Sequence, residues 1–181
     1  LLTDLLMHTP PEVVAKNFGQ PESAFANIPK EELYIFWAPA PPPLHEALVP
    51  AVDPNVEAPQ FSFRMSDIDH VAAPGGSVKI VDSRKFPATT ISAALVEVEP
   101  GGMREIHWHP NSDEWQYYLE GSARMTVFAT SNLARTFDFE AGDVGYVPKA
   151  MAHYIENTGD TPMRFLALFR SPHYENVALA Q

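Results

Sequence analysis

The sequence contains no cysteine, and this absence excludes three kinds of chemistry. A disulfide scaffold, a thiolate metal site and a cysteine nucleophile all need a thiol, which none of the 181 residues supplies. Basic residues are also scarce, with 12 Lys and Arg against 23 Asp and Glu, for a net charge of −11. Because a nucleic-acid backbone is bound by clustered positive charge, we expect no nucleic-acid partner.

Long hydrophobic runs are missing as well. No run approaches the roughly 18 apolar residues of a membrane-spanning helix, so we expect a soluble chain with no membrane partner. The sequence begins at Leu1, without an initiator methionine or a charged leader, which indicates a processed chain or a part of a longer one. These features leave a cytoplasmic and a secreted location equally open.

Proline is abundant but unevenly placed, with 11 of the 18 prolines in residues 1–59. Residues 1–60 therefore read as an arm and residues 61–181 as a regular domain. In the arm, Thr9 is predicted to cap a helix that has Pro10 at its first position and ends at Gly19. The run 38–43 is too rich in proline for a helix or a central strand and indicates an extended polyproline segment.

The second segment alternates short apolar runs with turn signals such as Pro100-Gly101 and Glu120-Gly121. Many short strands separated by turns predict an all-β sandwich or barrel. The predicted strands are Phe61–Met65, Val78–Val81, Ile91–Val98, the segment around His107, a strand starting at Glu114, Met125–Phe128, Val144–Val147 and Phe165–Phe169.

Histidines and a glutamate form the most informative pattern in this domain. Since side chains on a strand repeat every second residue, His107 and His109 should share one face. Glu114 follows a Pro-Asn turn and can return to the same place, and His153 comes later, after a second glycine-containing turn. A His-x-His pair alone also fits a surface accident or two satisfied core histidines, but the added Glu114 and His153 favour a metal site.

Three neutral imidazoles and one carboxylate suit a divalent cation, with coordination positions left open for a substrate. Without thiolates, Mn, Fe, Ni, Cu and Zn all stay possible, and the carboxylate favours Mn or Fe.

The spacing of these residues resembles the two motifs of the cupin family. Gly101, His107, His109, Glu114 and Gly121 have the spacing of the first motif. The second is matched by a further set: Gly142, Pro148, His153 and Asn157. The resemblance implies a double-stranded β-helix, or jelly-roll barrel. One departure is Ala150, where the motif has glycine, and we expect its effect to be mild because the residue lies in a turn.

Within that family, residues 100–169 resemble the C-terminal cupin of two-cupin oxalate decarboxylases, and residues 1–40 resemble their inter-cupin linker. The resemblance implies conversion of oxalate to formate and carbon dioxide with Mn and dioxygen as a co-catalyst. It implies that His107, His109, Glu114 and His153 are the metal ligands and that Arg104 holds the substrate. It further suggests a homo-oligomer that forms through the arm.

Three residue positions test this resemblance. Strand alternation places Arg104 on the face opposite His107, so a bulge or a turn must redirect it. Ala167 occupies the position of a family glutamate that can handle protons, which predicts weak turnover or another proton carrier. Glu175-Asn176 faintly resembles the lid dipeptide of the N-terminal cupin and is interpreted as a surface loop.

Neighbouring side chains receive simpler predictions. Trp108 should pack on the opposite face, while Gln116 and Tyr118 share the parity of Glu114 and either orient the ligands or pack inside the barrel. Two alternative functions also remain: a non-catalytic metal-binding half that stabilises an assembly, and a cupin oxidase or dioxygenase acting on a small carboxylate.

Overall fold

Eleven short strands form two antiparallel sheets in the computed structural model, which describes residues 2–31, 35, 37–43, 45–46, 61–87 and 90–180. The chain divides into two compact units, residues 1–56 and 57–181, and the described strands all lie in the second. The strands are β1 Val71–Ala73, β2 Gly76–Val81, β3 Ser92–Val98, β4 Met103–Trp108, β5 Glu114–Glu120, β6 Ser122–Phe128, β7 Ala134–Glu140, β8 Val144–Val147, β9 Ala152–Asn157, β10 Met163–Phe169 and β11 Val177–Ala178.

One sheet has the order β1-β2-β3-β10-β5-β8 and the other the order β11-β4-β9-β6-β7. Burial alternates residue by residue along β3, β9 and β10, so each sheet turns one side toward a shared interior. Tyr118, Met125, Ile155 and Phe165 are among the side chains that fill it. The predicted all-β jelly-roll barrel is confirmed.

Most of the predicted strands are present with small differences at their ends, but the strand over Phe61–Met65 is wrong. Residues 61–64 form no strand, and a 3₁₀ turn covers Met65–Asp67. The carbonyls of Met65 and Ser66 accept hydrogen bonds from Lys79 Nζ instead of from a neighbouring strand. An alternating pattern without a partner strand does not form a ladder.

Sequence reasoning missed four strands: β1 in the first sheet, and β7, β9 and β11 in the second. β7 is almost wholly exposed and carries little apolar signal. It pairs with β6 across a loop in which Ser131 and Asn132 both have positive φ, and Ser-Asn is a weaker hairpin signal than Asn-Gly. β9, which carries His153, alternates between buried and partly buried residues.

The first unit begins with two short helices, α1 Leu2–His8 and α2 Pro11–Phe18. The predicted helix stop is confirmed, since Gly19 takes a left-handed conformation with φ of 62°. The predicted cap is wrong by one residue: Pro10 occupies the cap position, and the Thr9 hydroxyl donates to the Leu5 carbonyl at 2.7 Å. Residues 37–43 contain neither helix nor strand. Within the described ranges, no helix is long and apolar enough to cross a membrane.

Ala150 corrects the expectation of a mild substitution, because its φ of 62° places a non-glycine residue in the left-handed region. A Cβ in that region costs about 1–2 kcal/mol, partly offset by the greater chain entropy of glycine. We therefore expect Ala150→Gly to raise the free energy of unfolding by about 0.5–1 kcal/mol, measured by urea denaturation.

A matched control for Ala150→Gly is Gly101→Ala. Gly101 has φ of 73°, and a Cβ there would meet nothing within 4 Å, so only backbone strain changes. This variant should lose about 1 kcal/mol. If both variants raised the free energy of unfolding, or both lowered it, the explanation by backbone strain at positive φ would be contradicted.

Candidate metal centre

The four residues of the sequence motif converge in the barrel. One ligand atom from each of His107, His109, Glu114 and His153 lies within 4.8 Å of the others, and all four side chains are buried. The rings of His107 and His153 are 4.1 Å apart between centroids. Four residues from separate parts of the sequence thus meet in one site.

A β-bulge in β4 brings Arg104 to the face that carries His107. Arg104 pairs with Ile155 on β9 and His107 pairs with His153, so three residue steps on β4 oppose two on β9. The extra residue reverses the parity between the two positions. Because Ile155 and His153 are both buried and two residues apart, Arg104 and His107 are presented to the same side. The redirection that strand alternation required is therefore present.

Backbone carbonyls fix the tautomer of all three histidines. His107 Nδ1 lies 2.7 Å from the Glu105 carbonyl, His109 Nδ1 lies 2.7 Å from the Glu175 carbonyl, and His153 Nδ1 lies 3.2 Å from the Met151 carbonyl. A carbonyl only accepts, so each Nδ1 carries the proton and donates it. Each Nε2 is left as a lone pair available to a metal ion.

Glu114 and His153 leave two buried polar atoms without a hydrogen-bond partner. His153 Nε2 and Glu114 Oε2 are 2.8 Å apart, yet neither has an aligned donor among the described residues. His109 Nε2 lies 3.2 Å from the same carboxylate oxygen. Lone pairs this close in a dry interior repel one another unless a cation balances them, so the donor set fits a divalent metal.

The electrostatics of the site favour the protonation states that metal binding needs. Burial, the neighbouring His153 and the Arg104 charge together lower the pKa of His107 to about 2. Burial alone would raise the pKa of Glu114, but hydrogen bonds that His109 and His153 donate to its carboxylate when their rings are protonated hold it well below its ordinary value. His107 therefore stays neutral and Glu114 stays ionised, as metal ligands must be.

Gln116 and Tyr118 connect the carboxylate to the barrel core. Gln116 Nε2 donates to Glu114 Oε1 at 2.9 Å, and the Tyr118 hydroxyl donates to Gln116 Oε1 at 2.9 Å. Gln116 and Tyr118 are fully buried, and burial raises the pKa of the Tyr118 phenol, so it remains a donor. Of the two predicted roles, orientation of a ligand and core packing, this chain has both.

Arg104 lies at the edge of a cavity of about 340 Å³ that Tyr174, Asn176, Ile80 and Val96 also line. Its side chain is 22% exposed, and its Nη2 donates to Asn176 Oδ1 at 2.7 Å. The cavity has the size of a small-ligand site, and its lining combines apolar residues with Arg104 and two carboxylates, Glu97 and Glu105. None of the four ligand residues is part of this lining.

Glu175-Asn176 lies in a loop with an exposed Glu175, as predicted, and the segment 171–178, which we call the strap, also contacts the site. The Glu175 side chain is exposed, but its carbonyl holds His109, and Asn176 holds Arg104. Tyr174, which sequence reasoning missed, packs its ring 5.4 Å from that of His109 and lies beside the Arg104 guanidinium. No spacing rule links position 174 to the motif; only the return of β11 against β4 reveals the contact.

Comparison with known proteins gives a family match and close relatives. The family model described as Cupin matches residues 63–181. Oxalate decarboxylase OxdC of Bacillus subtilis is 52% identical over 182 residues, which cover 99% of this chain and 47% of that protein. A probable oxalate decarboxylase of Arthroderma benhamiae is 40% identical over 185 residues, which cover 100% of this chain and 45% of the relative.

Structural comparison gives the same relationship. The structure of oxalate decarboxylase from Bacillus subtilis superposes with a TM-score of 0.83 at 51% identity, covering 98% of this chain and 47% of that one. That enzyme has Mn(II) centres. The chain spans about half the length of the curated relatives it matches.

Proposed function

The chain belongs to the cupin family, and on that premise we propose that it is a Mn-dependent, oxalate-decarboxylase-like cupin that converts oxalate to formate and carbon dioxide. The single observation that carries this proposal is the buried site of three histidines and one glutamate with Arg104 presented to the same side. Residues 61–181 form the catalytic domain in this proposal and residues 1–60 form an arm.

His107, His109, Glu114 and His153 would hold the metal. Their nitrogen and carboxylate donors, without sulfur, suit Mn(II), and the two orphaned buried atoms support a cation between them. A bound Mn ion would supply Lewis acidity and redox chemistry at an open coordination position.

Arg104 would bind the substrate. Oxalate is an anion with two planar carboxylates, and the guanidinium fork can take one of them in a bidentate contact. Among the described residues that line the cavity, Arg104 is the only cation, and the lining also contains Glu97 and Glu105, so the attraction for an anion is confined to the guanidinium itself. The apolar side chains of Ile80 and Val96 on the same cavity lower the local dielectric, which strengthens that attraction.

The overall reaction is redox-neutral. Hydrogen oxalate, HO₂C–CO₂⁻, gives HCO₂⁻ and CO₂ when the carbon–carbon bond breaks and one proton goes to the carbon of formate. We propose that dioxygen acts as a co-catalyst without net consumption.

Tyr174 lies beside Arg104, and burial raises the pKa of its phenol, so this side chain stays protonated and can donate a proton.

The test is an assay of the full chain loaded with Mn(II) and supplied with oxalate in air. Formate and carbon dioxide should form in equal amounts, with no net loss of dioxygen and no peroxide. Metal analysis of the same sample should give about one ion per chain. Stoichiometric metal with no product from oxalate would instead identify a non-catalytic metal-binding half.

Ala167 favours one alternative, an oxalate oxidase. The residue is 1% exposed on β10 and faces the barrel interior, where it offers no proton to carbon. An oxidase needs none there: hydrogen oxalate, one dioxygen and one proton give two carbon dioxides and one hydrogen peroxide. Peroxide formed in step with oxalate consumption would establish this reaction.

Ala167→Glu should raise decarboxylation. Ala167 pairs with Gln116, whose amide contacts Glu114, so a carboxyl group here would reach the ligand set. Burial would keep it partly protonated, and a placed general acid contributes about 10²–10⁴-fold in rate. Imperfect placement of the new carboxyl group would reduce this rate gain, so we expect formate production to rise about tenfold or more.

The control for Ala167→Glu is Ala94→Glu. Ala94 pairs with Ala167 from β3 and is equally buried, but it is one strand further from Glu114. This variant buries a carboxyl group at a similar cost in stability, but the group does not reach Glu114. If neither variant changes the rate, the proton comes from another group.

We also propose that the arm mediates a homo-oligomer. Its described residues expose large apolar side chains, with Leu5, Val13 and Phe18 each at least half exposed and Trp37 fully exposed. Such side chains favour burial against another surface. Light scattering of the full chain should give a mass of at least two chains at micromolar concentration. A monomer there, or an unchanged mass in Val13→Asp/Phe18→Asp, would contradict this role.

A further inference from the structure

The strap is fixed to the barrel at several points. The Ser83 amide donates to the Pro172 carbonyl at 2.9 Å, and Asn111 Nδ2 donates to the His173 carbonyl at 2.8 Å. The Tyr174 amide donates to buried Asp82, and β11 closes the segment by pairing with β4. Asn176 lies between these attachments, so its backbone is held in place.

The Asn176 amide is a close polar partner of Arg104, as is the hydroxyl of Tyr174. Asn176 Oδ1 accepts a hydrogen bond from Arg104 Nη2 at 2.7 Å. The guanidinium has a weaker contact, 3.4 Å from Nη1 to Glu105 Oε1, and the Glu105 side chain is 34% exposed. Screening by water reduces the attraction at such an exposed pair.

We propose that Asn176 is a positioning residue for Arg104: a neutral anchor that fixes the guanidinium at the substrate cavity without cancelling its charge. This inference rests on the proposed function, because it assumes that Arg104 receives an anionic substrate. It adds a role for a residue outside the metal ligands and outside the cupin motifs.

The chemistry of the amide explains why a neutral side chain suits this place. A carboxylate here would accept the same hydrogen bond, but it would form an ion pair and compete with the substrate for the guanidinium. The amide oxygen accepts the bond and adds no net charge. Glu105 already lies 3.4 Å from the guanidinium, so a neutral residue at position 176 leaves more of the Arg104 charge available to oxalate.

Two variants separate orientation from charge. Asn176→Asp keeps the size and the acceptor but adds a negative charge, and Asn176→Ala removes the acceptor. Asn132→Asp is the control for the same change of charge, because Asn132 is exposed in the loop between β6 and β7, away from β4. Each full-length protein is loaded with Mn(II), and its affinity for oxalate is measured by calorimetry at low and high ionic strength.

We expect Asn176→Asp to bind oxalate about tenfold more weakly at low salt, with a smaller loss at high salt. Asn176→Ala should lose about three- to tenfold at both ionic strengths, because orientation is not screened. Asn132→Asp should stay within about twofold of wild type. Equal oxalate affinity in wild type and either Asn176 variant would overturn the proposal.

A second measurement needs no substrate. In the Zn(II)-loaded full chain, which is diamagnetic, NMR of the Arg104 guanidinium should show slow rotation in wild type and Asn176→Asp, and faster rotation in Asn176→Ala. Unchanged rotation in Asn176→Ala would overturn the anchor. If wild type binds no oxalate while this difference is present, the proposed substrate is wrong and the anchor stands.

Discussion

Replacing Glu114 with glutamine is expected to weaken metal binding by more than about a hundredfold. Loss of a residue that merely orients a metal ligand already costs about 10–100-fold in affinity, and Glu114 is the only anionic side chain in the set. Glutamine keeps the size and still offers a carbonyl oxygen to Gln116 Nε2, so the change isolates the charge. Metal content by mass spectrometry after dialysis measures the loss.

Thermal unfolding of the same Glu114→Gln variant adds a second readout. Metal at about 100 times its dissociation constant stabilises the folded chain by about 2.7 kcal/mol, so added Mn(II) should raise the melting temperature of wild type only.

His173→Ala is the matched control for the Glu114→Gln experiment. This histidine contacts Ser83 and is exposed, and it lies outside the metal cluster. It should retain about one metal ion per chain. Stoichiometric metal in Glu114→Gln, or equal metal loss in both variants, would contradict the assigned ligand set.

Spacing rules located the metal ligands because those ligands depend on strand geometry. Alternation along the strand and the turn that follows it bring His107, His109 and Glu114 to one site, and His153 lies opposite His107 on β9. The β3, β8 and β10 strands were also predictable, because their buried faces alternate or their runs are apolar.

Most of the residues that orient the site were not predictable; Gln116 is the exception, because it shares the parity of Glu114 on β5. The carbonyls of Glu105, Met151 and Glu175 set the three histidine tautomers, and a carbonyl leaves no trace in residue type. Tyr174 and Asn176 reach the site only because β11 returns to β4. Ala150 shows the same limit, because its left-handed conformation depends on the turn that contains it.

Removing the Arg104 guanidinium should produce the largest loss of turnover that leaves the metal in place. Arg104→Ala eliminates the cation at the cavity, and truncating one partner of a largely buried, hydrogen-bonded charge pair costs about 2–5 kcal/mol. We expect kcat/KM for oxalate to fall by about 30- to 5,000-fold, the range that this cost implies at 1.36 kcal/mol per tenfold. Metal content should be unchanged, because Arg104 supplies no ligand atom to the cluster.

Arg104→Lys separates the fork from the charge. Lysine keeps the positive charge but presents a single ammonium group, so it should recover part of the oxalate affinity and less of the orientation. We expect an intermediate loss, about tenfold in kcat/KM, with KM changing less than kcat because misplacement of bound substrate acts mainly on the chemical step.

Arg135→Ala, which removes one positive charge from an exposed position on β7, is the control for net charge and should leave the rate within about twofold. Oxalate turnover that survives Arg104→Ala and falls in Arg135→Ala would move the substrate site away from the bulge in β4. Turnover ordered as wild type, lysine, then alanine would place one carboxylate of oxalate on the guanidinium fork beside His107.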